Sequence, residues 1–365
     1  MMKVGMVGVG CISRIYLENF KNMFRDVELV AVCDLIRERA EKAKADFGVP
    51  KLYDTMEELF SDPEIEIVLN LTRPYQHYAV SKGALLAGKH VYCEKPLAAN
   101  LAEGRELVAL AEERGLWLGG APDTFMGGAI QTCRKLIDGG LIGEIIGGRC
   151  AMLNHGMEMW HPDPDFYYQP AGGPLFDMGP YYITALLNLI GEVKEVYAYA
   201  QKSYPTRLIT SKPHEGEIIE VNTPTHIESI LSFTSGAHVS LATSFDVYSS
   251  RQTNIEIYGT KGTLYVPDPN WFAGDAIFYD GEKKEEIKFP VEFPYTLNCR
   301  CLGLDDMAAA IEQGRPGRTT YRQTLHVLEV MDGALQSAAS GLPYKMTTHY
   351  HREAPMDPTL PVGRL

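Results

Sequence analysis

Gly8-Val9-Gly10-Cys11-Ile12-Ser13 stands where a short apolar run gives way to a helical pattern. Glycine at position 8 permits a tight turn, and glycine at position 10 lets the backbone approach a pyrophosphate. The third small position of such a turn, needed for close helix–strand packing, is filled by Ser13 rather than glycine. Cys11 and Ile12 complete the turn and count with Gly8 and Gly10 as cofactor-binding candidates. Asp34 ends the second apolar run, 21 residues after Ser13. A carboxylate there accepts hydrogen bonds from the ribose hydroxyls of a dinucleotide and repels a 2′-phosphate, so NAD is favoured over NADP. Arg37 and Arg39 lie close by and weaken that preference. The plain alternative is an ordinary turn and a solvated aspartate; the order strand, turn, helix, strand, acid argues against it.

The elements that must position these residues can be read from periodicity. Lys3–Val7, Glu28–Cys33, Ile65–Leu71, His90–Cys93 and Leu116–Gly119 read as buried strands. Between them, helices are expected from Ser13 to about Phe24, over Arg37–Phe47, over His77–Ala87 and from the Asn100 cap to Gly115. Thr55-Met56-Glu57-Glu58 is a capping box that opens one more. Strands alternating with helices imply parallel pairing through right-handed crossovers, hence a doubly wound α/β sheet. After Pro122 the rhythm changes. A helix at about Ala129–Asp138 leads to seven alternating strands: Glu144–Met152, Val193–Gln201, His226–Phe233, His238–Ser244, Asn254–Ile257, Thr263–Val266 and Ala276–Tyr279. They predict an antiparallel sheet with helices on one face. Helices at about Leu304–Gln313 and Tyr321–Ser340 follow. Pro343, Pro355, Pro358 and Pro361 then mark an extended tail. The expected organisation is 1–122, 123–345 and a tail over 346–365.

Composition excludes several classes. The chain has 365 residues, 45% hydrophobic and 22% charged, which are ordinary globular values. Its net charge of −13 disfavours nucleic acid and anionic membranes as partners. It does not disfavour a dinucleotide, whose phosphates are held locally by backbone N–H groups. Seven cysteines without a C-x-x-C pair read as reduced, buried thiols. With no signal peptide or membrane-length apolar stretch in view, the expected compartment is cytoplasmic.

Two further segments complete a pattern: Glu94-Lys95-Pro96 after the fourth strand, and Gly172-Gly173-Pro174-Leu175-Phe176-Asp177-Met178-Gly179. Together with the glycine turn they resemble the glucose–fructose oxidoreductase / inositol dehydrogenase (Gfo/Idh/MocA) family over nearly the whole chain. The resemblance implies a Rossmann-type N-terminal domain and a C-terminal α+β domain with a large, open, mostly antiparallel sheet. It also implies homodimers or homotetramers packed through that sheet, and NAD(P)-dependent chemistry on a carbinol of a sugar, cyclitol or related polyol. Lys95 matches the family's catalytic lysine. A partly buried cation beside the nicotinamide stabilises the carbinol oxygen, or takes its proton if it shifts toward neutral. Glu94 lies beside it as a cofactor candidate. Asp177 matches the family's aspartate, but Tyr181 stands where the family carries its acid–base histidine. A tyrosine takes that role only if its pKa is lowered; otherwise it is a core aromatic.

Other candidates follow the family pattern. Pro74 and His77 sit where a loop passes the nicotinamide, with Arg73 in place of the usual small residue or proline. Asp123 and Thr124 stand at the mouth of the next strand. Each could equally be a cap or turn residue. The run from Asn154 to Asp163 is dense in histidine, tryptophan and carboxylate and reads as a pocket wall. Trp160 would stack on a sugar's apolar face, while His155 and His161 bond its hydroxyls. A metal held by His155, His161, Asp163 and Asp165 is the sharper alternative, but the spacing matches no metal motif and none is expected. The favoured reading is a hydride-transferring NAD-dependent dehydrogenase. The alternatives are an NAD-using glycoside-cleaving enzyme with transient oxidation, and a non-catalytic NAD-binding regulator.

Overall fold

The computed structural model describes residues 1–363 and 365. The first part of the chain runs β1 (Met2–Val7), α1 (Ser13–Asn22), β2 (Val27–Cys33), α2 (Arg37–Phe47), β3 (Lys51–Tyr53), α3 (Met56–Ser61), β4 (Ile67–Asn70), α4 (His77–Leu86), β5 (His90–Cys93), α5 (Leu101–Arg114) and β6 (Leu118–Gly120). Then come α6 (Gly128–Asp138), β7 (Ile145–Leu153), α7 (Gly173–Asp177), α8 (Gly179–Leu189), β8 (Val193–Gln201), β9 (Thr206–Leu208) and β10 (Ile218–Glu220). The remainder is β11 (His226–Phe233), β12 (His238–Ser244), β13 (Ile255–Gly259), β14 (Gly262–Val266), β15 (Ala276–Asp280), β16 (Glu285–Phe289), α9 (Leu302–Gln313), α10 (Tyr321–Ser340) and β17 (Tyr344–Lys345).

Two compact units emerge, and they interleave along the chain. The first comprises residues 1–128, 293–328 and 353–365; the second comprises 129–292 and 329–352. This differs from the contiguous boundaries at 122 and 345 expected from the sequence, and the hydrogen bonds explain why. In the first unit, the exposed edge of β6 is covered by the backbone at Thr319 and Thr320, which leaves no free edge there. Gly119 allows this close approach, since a Cβ would lie 2.4 Å from the Thr319 carbonyl oxygen. The Arg318 guanidinium then donates to the carbonyls of Ala354 and Pro355. The segment expected as an extended tail carries no helix or strand among its described residues and is docked, with Met356 buried.

The first unit's sheet has the order β3-β2-β1-β4-β5-β6. All five pairings are parallel, and every residue of β4 is buried. The order reverses between β1 and β4, the place where doubly wound sheets bind ligands. β3 was not anticipated, because three half-buried residues give no periodicity.

The second unit holds a nine-stranded sheet, β16-β15-β14-β13-β7-β12-β11-β8-β17, and the separate antiparallel pair β10-β9. Only β7 and β12 pair in parallel, so the sheet is mostly antiparallel as expected. One face is the core: Val196, Leu231, Val239, Cys150, Ile257 and Leu264 are all buried. The other carries Tyr197, Tyr199, Ile230, Tyr258 and Tyr279, brought together by the register. β16, with Glu285, Glu286 and Lys288, has the charged edge that sheets commonly use.

Within this unit Glu329, fully buried on α10, anchors the strap that follows that helix. Its carboxylate accepts from the Thr347 and Thr348 N–H groups and from the hydroxyls of Tyr344 and Thr347. Burial pushes the carboxyl up, but these donors outweigh it and hold it below its ordinary value. A carboxylate depressed in the folded state adds stability above its unfolded pKa and loses it as pH falls through the folded one. Glu329→Gln should therefore lower stability by about 1–3 kcal/mol at neutral pH. In urea unfolding at graded pH, that penalty should shrink below about pH 4, the unfolded carboxylate value.

Candidate active site

The glycine turn is built for a close-fitting ligand. Gly8 has φ +96°, and a Cβ there would lie 2.8 Å from the backbone of Leu71. Only glycine fits at that crossing. A Cβ at Gly10 would meet nothing within 4 Å, so the backbone there faces open space. Ser13 turns its hydroxyl back onto the Gly10 carbonyl at 2.7 Å. The first turn of α1 carries no acid and no side-chain cap, which leaves its N–H groups for an anion. Cys11 and Ile12 lie exposed on the turn.

Asp34 closes the turn from β2. One carboxylate oxygen accepts from the Val9 N–H at 2.6 Å and the other from the Ile36 N–H at 2.7 Å. Each oxygen keeps a lone pair for a further donor such as a ribose hydroxyl. Arg37 pairs with Glu41 and Asp54, so acids already hold that cation. These residues fit NAD: the glycines and α1 would hold the pyrophosphate, and Asp34 the adenosine ribose.

The lysine turn follows β5. The Glu94 main-chain N–H is bonded to the Asn70 carbonyl at 2.9 Å. The buried Glu94 carboxylate accepts from the Tyr16 hydroxyl at 2.8 Å and the Lys95 N–H at 3.0 Å. Burial, reinforced by the Glu94 charge, pushes the Tyr16 hydroxyl up, so it stays the donor. Nothing in the sequence singled out Tyr16; it lies in the helix that the glycine turn opens and joins that helix to the lysine turn. Asn70 was also missed, although a polar residue ending the run Ile67-Val68-Leu69 was a signal.

Two candidate ligand residues have backbone partners. The His77 ring is 1% exposed, with both nitrogens against backbone carbonyls. Asp123 is also 1% exposed. One of its oxygens accepts from the Cys301 and Gly303 N–H groups, each at 3.0 Å, which caps the start of α9. Burial raises the Asp123 carboxyl to about 6. Thr124 is buried too, while Pro74 opens a half-buried single turn of 3-10 helix.

In the second unit, the His/Trp segment is fastened by buried charges. Glu158 accepts from Arg207 at 3.0 Å and from the Tyr168 hydroxyl, and Arg207 also pairs with Asp246. The Glu158 carbonyl takes the N–H groups of Thr210 and Ser211. On this base Trp160 is 62% exposed. His161 is buried edge-on to Trp160, Phe166 and Tyr167, with Nδ1 accepting from the Asp163 N–H. His155 stacks on Tyr248 with ring centroids 3.6 Å apart. Asp177 ends α7, and Tyr181, 6% exposed, lies in the first turn of α8. Met178 separates the two helices, so Asp177 and Tyr181 do not share one continuous helix.

A glycine cradle at a parallel sheet's switch point, an uncapped helix start and an acid after β2 define a dinucleotide-binding oxidoreductase domain. The comparisons narrow this. Residues 2–119 match the model of the NAD-binding Rossmann-fold oxidoreductase family, and residues 130–265 match the GFO/IDH/MocA C-terminal domain. Trans-1,2-dihydrobenzene-1,2-diol dehydrogenase of Bos taurus is 30% identical over 285 residues, covering 78% of this chain and 79% of its own. Myo-inositol 2-dehydrogenase of Thermotoga maritima is 27% identical over 73% of this chain and 75% of its own. Levoglucosan dehydrogenase, solved with NADH and L-sorbose, shares the fold with a TM-score of 0.82 at 20% identity, over 95% of this chain and 99% of its own. The chain belongs to the Gfo/Idh/MocA family and is an NAD-binding oxidoreductase.

Two outcomes follow. Asp34→Asn should weaken NAD binding about tenfold, the loss of a hydrogen bond to a charged group, and narrow the preference over NADP; titration with NADH and NADPH fluorescence checks both. Arg207→Met leaves Glu158 and Asp246 buried without their cation. It should cost about 3–5 kcal/mol in denaturant unfolding.

Proposed function

We propose that this chain is an NAD-dependent dehydrogenase that oxidises a secondary hydroxyl on a sugar, cyclitol or cyclic diol. The observation that carries the reading is the Lys95 turn. Its backbone is pinned through Glu94 to α1, the helix opened by the glycine cradle. The relatives named as diol, inositol and levoglucosan dehydrogenases support a ring-shaped polyol.

NAD, when bound, supplies the hydride acceptor. Lys95 steadies the carbinol oxygen as its proton leaves. We carry Asp177 and Tyr181 over as further residues for the reacting hydroxyl, as the resemblance implies, with His155 and His161 as other proton acceptors. Trp160 offers an exposed indole for the apolar face of a ring. We also propose a homo-oligomer through the tyrosine-rich open face of the nine-stranded sheet, as the resemblance implies. Six of the seven free cysteines are buried, which supports a reducing, cytoplasmic setting. No helix of the described residues is long and apolar enough to cross a membrane.

The test is absorbance at the NADH band as purified protein and NAD meet myo-inositol, levoglucosan, glucose and 1,2-cyclohexanediol, repeated with NADP. A rise with a cyclic polyol and NAD is the expected result; no rise with any of them would sink the reading. Lys95→Met should fold and bind NADH while losing at least about a hundredfold in kcat.

A further inference from the structure

Lys95 lies between two residues whose own contacts differ in kind. On its N-terminal side, Glu94 is tied to Tyr16 and to the Asn70 carbonyl. On its C-terminal side, the Pro96 carbonyl oxygen lies 2.6 Å from His77 Nδ1. The other ring nitrogen, Nε2, lies 3.0 Å from the Thr72 carbonyl oxygen. β4 has ended at Asn70 and β5 at Cys93, so the strands offer these carbonyls no ladder partner. The base of the ring is also held, because the Asn70 amide donates to the His77 carbonyl at 3.0 Å. Burial holds the ring's pKa below its ordinary value, and a neutral imidazole has a single N–H; the shorter contact assigns it to the Pro96 carbonyl, tying the start of α4 to the turn that carries the lysine.

We propose that His77 is a positioning residue for Lys95: by donating its one N–H to the Pro96 carbonyl it fixes the main chain on the C-terminal side of the lysine. Lysine has a long flexible stem, so the place its ammonium reaches depends on where its backbone is held. Tyr16 and Glu94 hold one side of that backbone, and His77 holds the other. Without the ring, the turn would drift relative to the start of α4. A displacement near 1 Å at a reacting group costs on the order of a hundredfold in rate.

The proposal rests on the reading of Lys95 as catalytic, and the experiment separates the two. His77→Phe keeps a ring without donors. His77→Gln keeps a donor and guards against a failure of the first variant to fold. Both are compared with Lys95→Met and with the double variant His77→Phe/Lys95→Met, using the cyclic polyol with the highest rate in the panel above. Expected are NADH binding within about threefold of the parent, kcat down at least about tenfold for Phe and less for Gln, and little change in KM. The double variant should be no slower than Lys95→Met alone, since residues that act as one unit are not additive. Backbone amide exchange across residues 94–98 of the NAD-saturated protein should quicken in His77→Phe. Normal kcat in both His77 variants, losses that multiply in the double variant, or unchanged exchange in the turn would each overturn the proposal while leaving the Lys95 reading intact. A near-normal rate in Lys95→Met alone would overturn both.

Discussion

The candidate site depends on a single buried amide. Asn70 ends β4 with no exposed surface, at the point where the ladder runs out. A side-chain amide has two donors and two acceptor lone pairs, and Asn70 uses all four. It donates to the His77 carbonyl and the Ser81 hydroxyl, and accepts from the N–H and hydroxyl of Thr72. Its main-chain carbonyl takes the Glu94 N–H. The loop after β4, the start of α4 and the lysine turn are therefore referred to one residue. A parallel sheet gives its strand ends no such partners, and irregular backbone buried there must find them in side chains.

The second unit solves a related problem with charge. The run from Asn154 to Asp163 leaves a strand and has no ladder of its own. Arg207 enters it from β9 and lies between the carboxylates of Glu158 and Asp246, with all three side chains almost wholly buried. Taking three charges out of water is costly, and only mutual pairing with further hydrogen bonds makes it tolerable. Thr225 and Tyr168 supply those bonds. The exposure of Trp160 thus comes from a firmly seated loop.

Much of this was legible in the sequence, for identifiable reasons. The glycine turn and Asp34 could be read because only glycine allows φ +96° against a neighbouring backbone, and because an acid at a strand end has few structural uses. The doubly wound sheet could be read because fully buried parallel strands make continuous apolar runs. What escaped notice was non-local. Tyr16 and Asn70 act on partners far along the chain, and no local pattern marks a tyrosine as a core residue or a clamp. His77 and Asp123 were noticed for their residue types, with a ligand role and a cap or turn role both open. A polar residue at the mouth of a strand serves a ligand or a backbone group equally well, and only geometry decides. The parallel pairing of β7 with β12 joins strands far apart in sequence, and β9, β10 and β17 are too short for a period to show.

The interleaving of the two units bears on how the chain comes to be folded as it is made. The first unit takes its sheet from the opening residues but draws the cover of its β6 edge from 293–328 and an outer strap from 353–365. Asp305 of α9 accepts the Asp26 N–H, and Asp26 in turn accepts the Leu365 N–H, joining residues more than 250 positions apart. During synthesis the domain that emerges first must wait with an open edge while residues 129–292 of the other are made. Such long-range closure is slow and leaves unpaired strand surface exposed meanwhile. The cysteines and apolar strands of the first unit are thus most vulnerable during translation, before the finishing segment has left the ribosome.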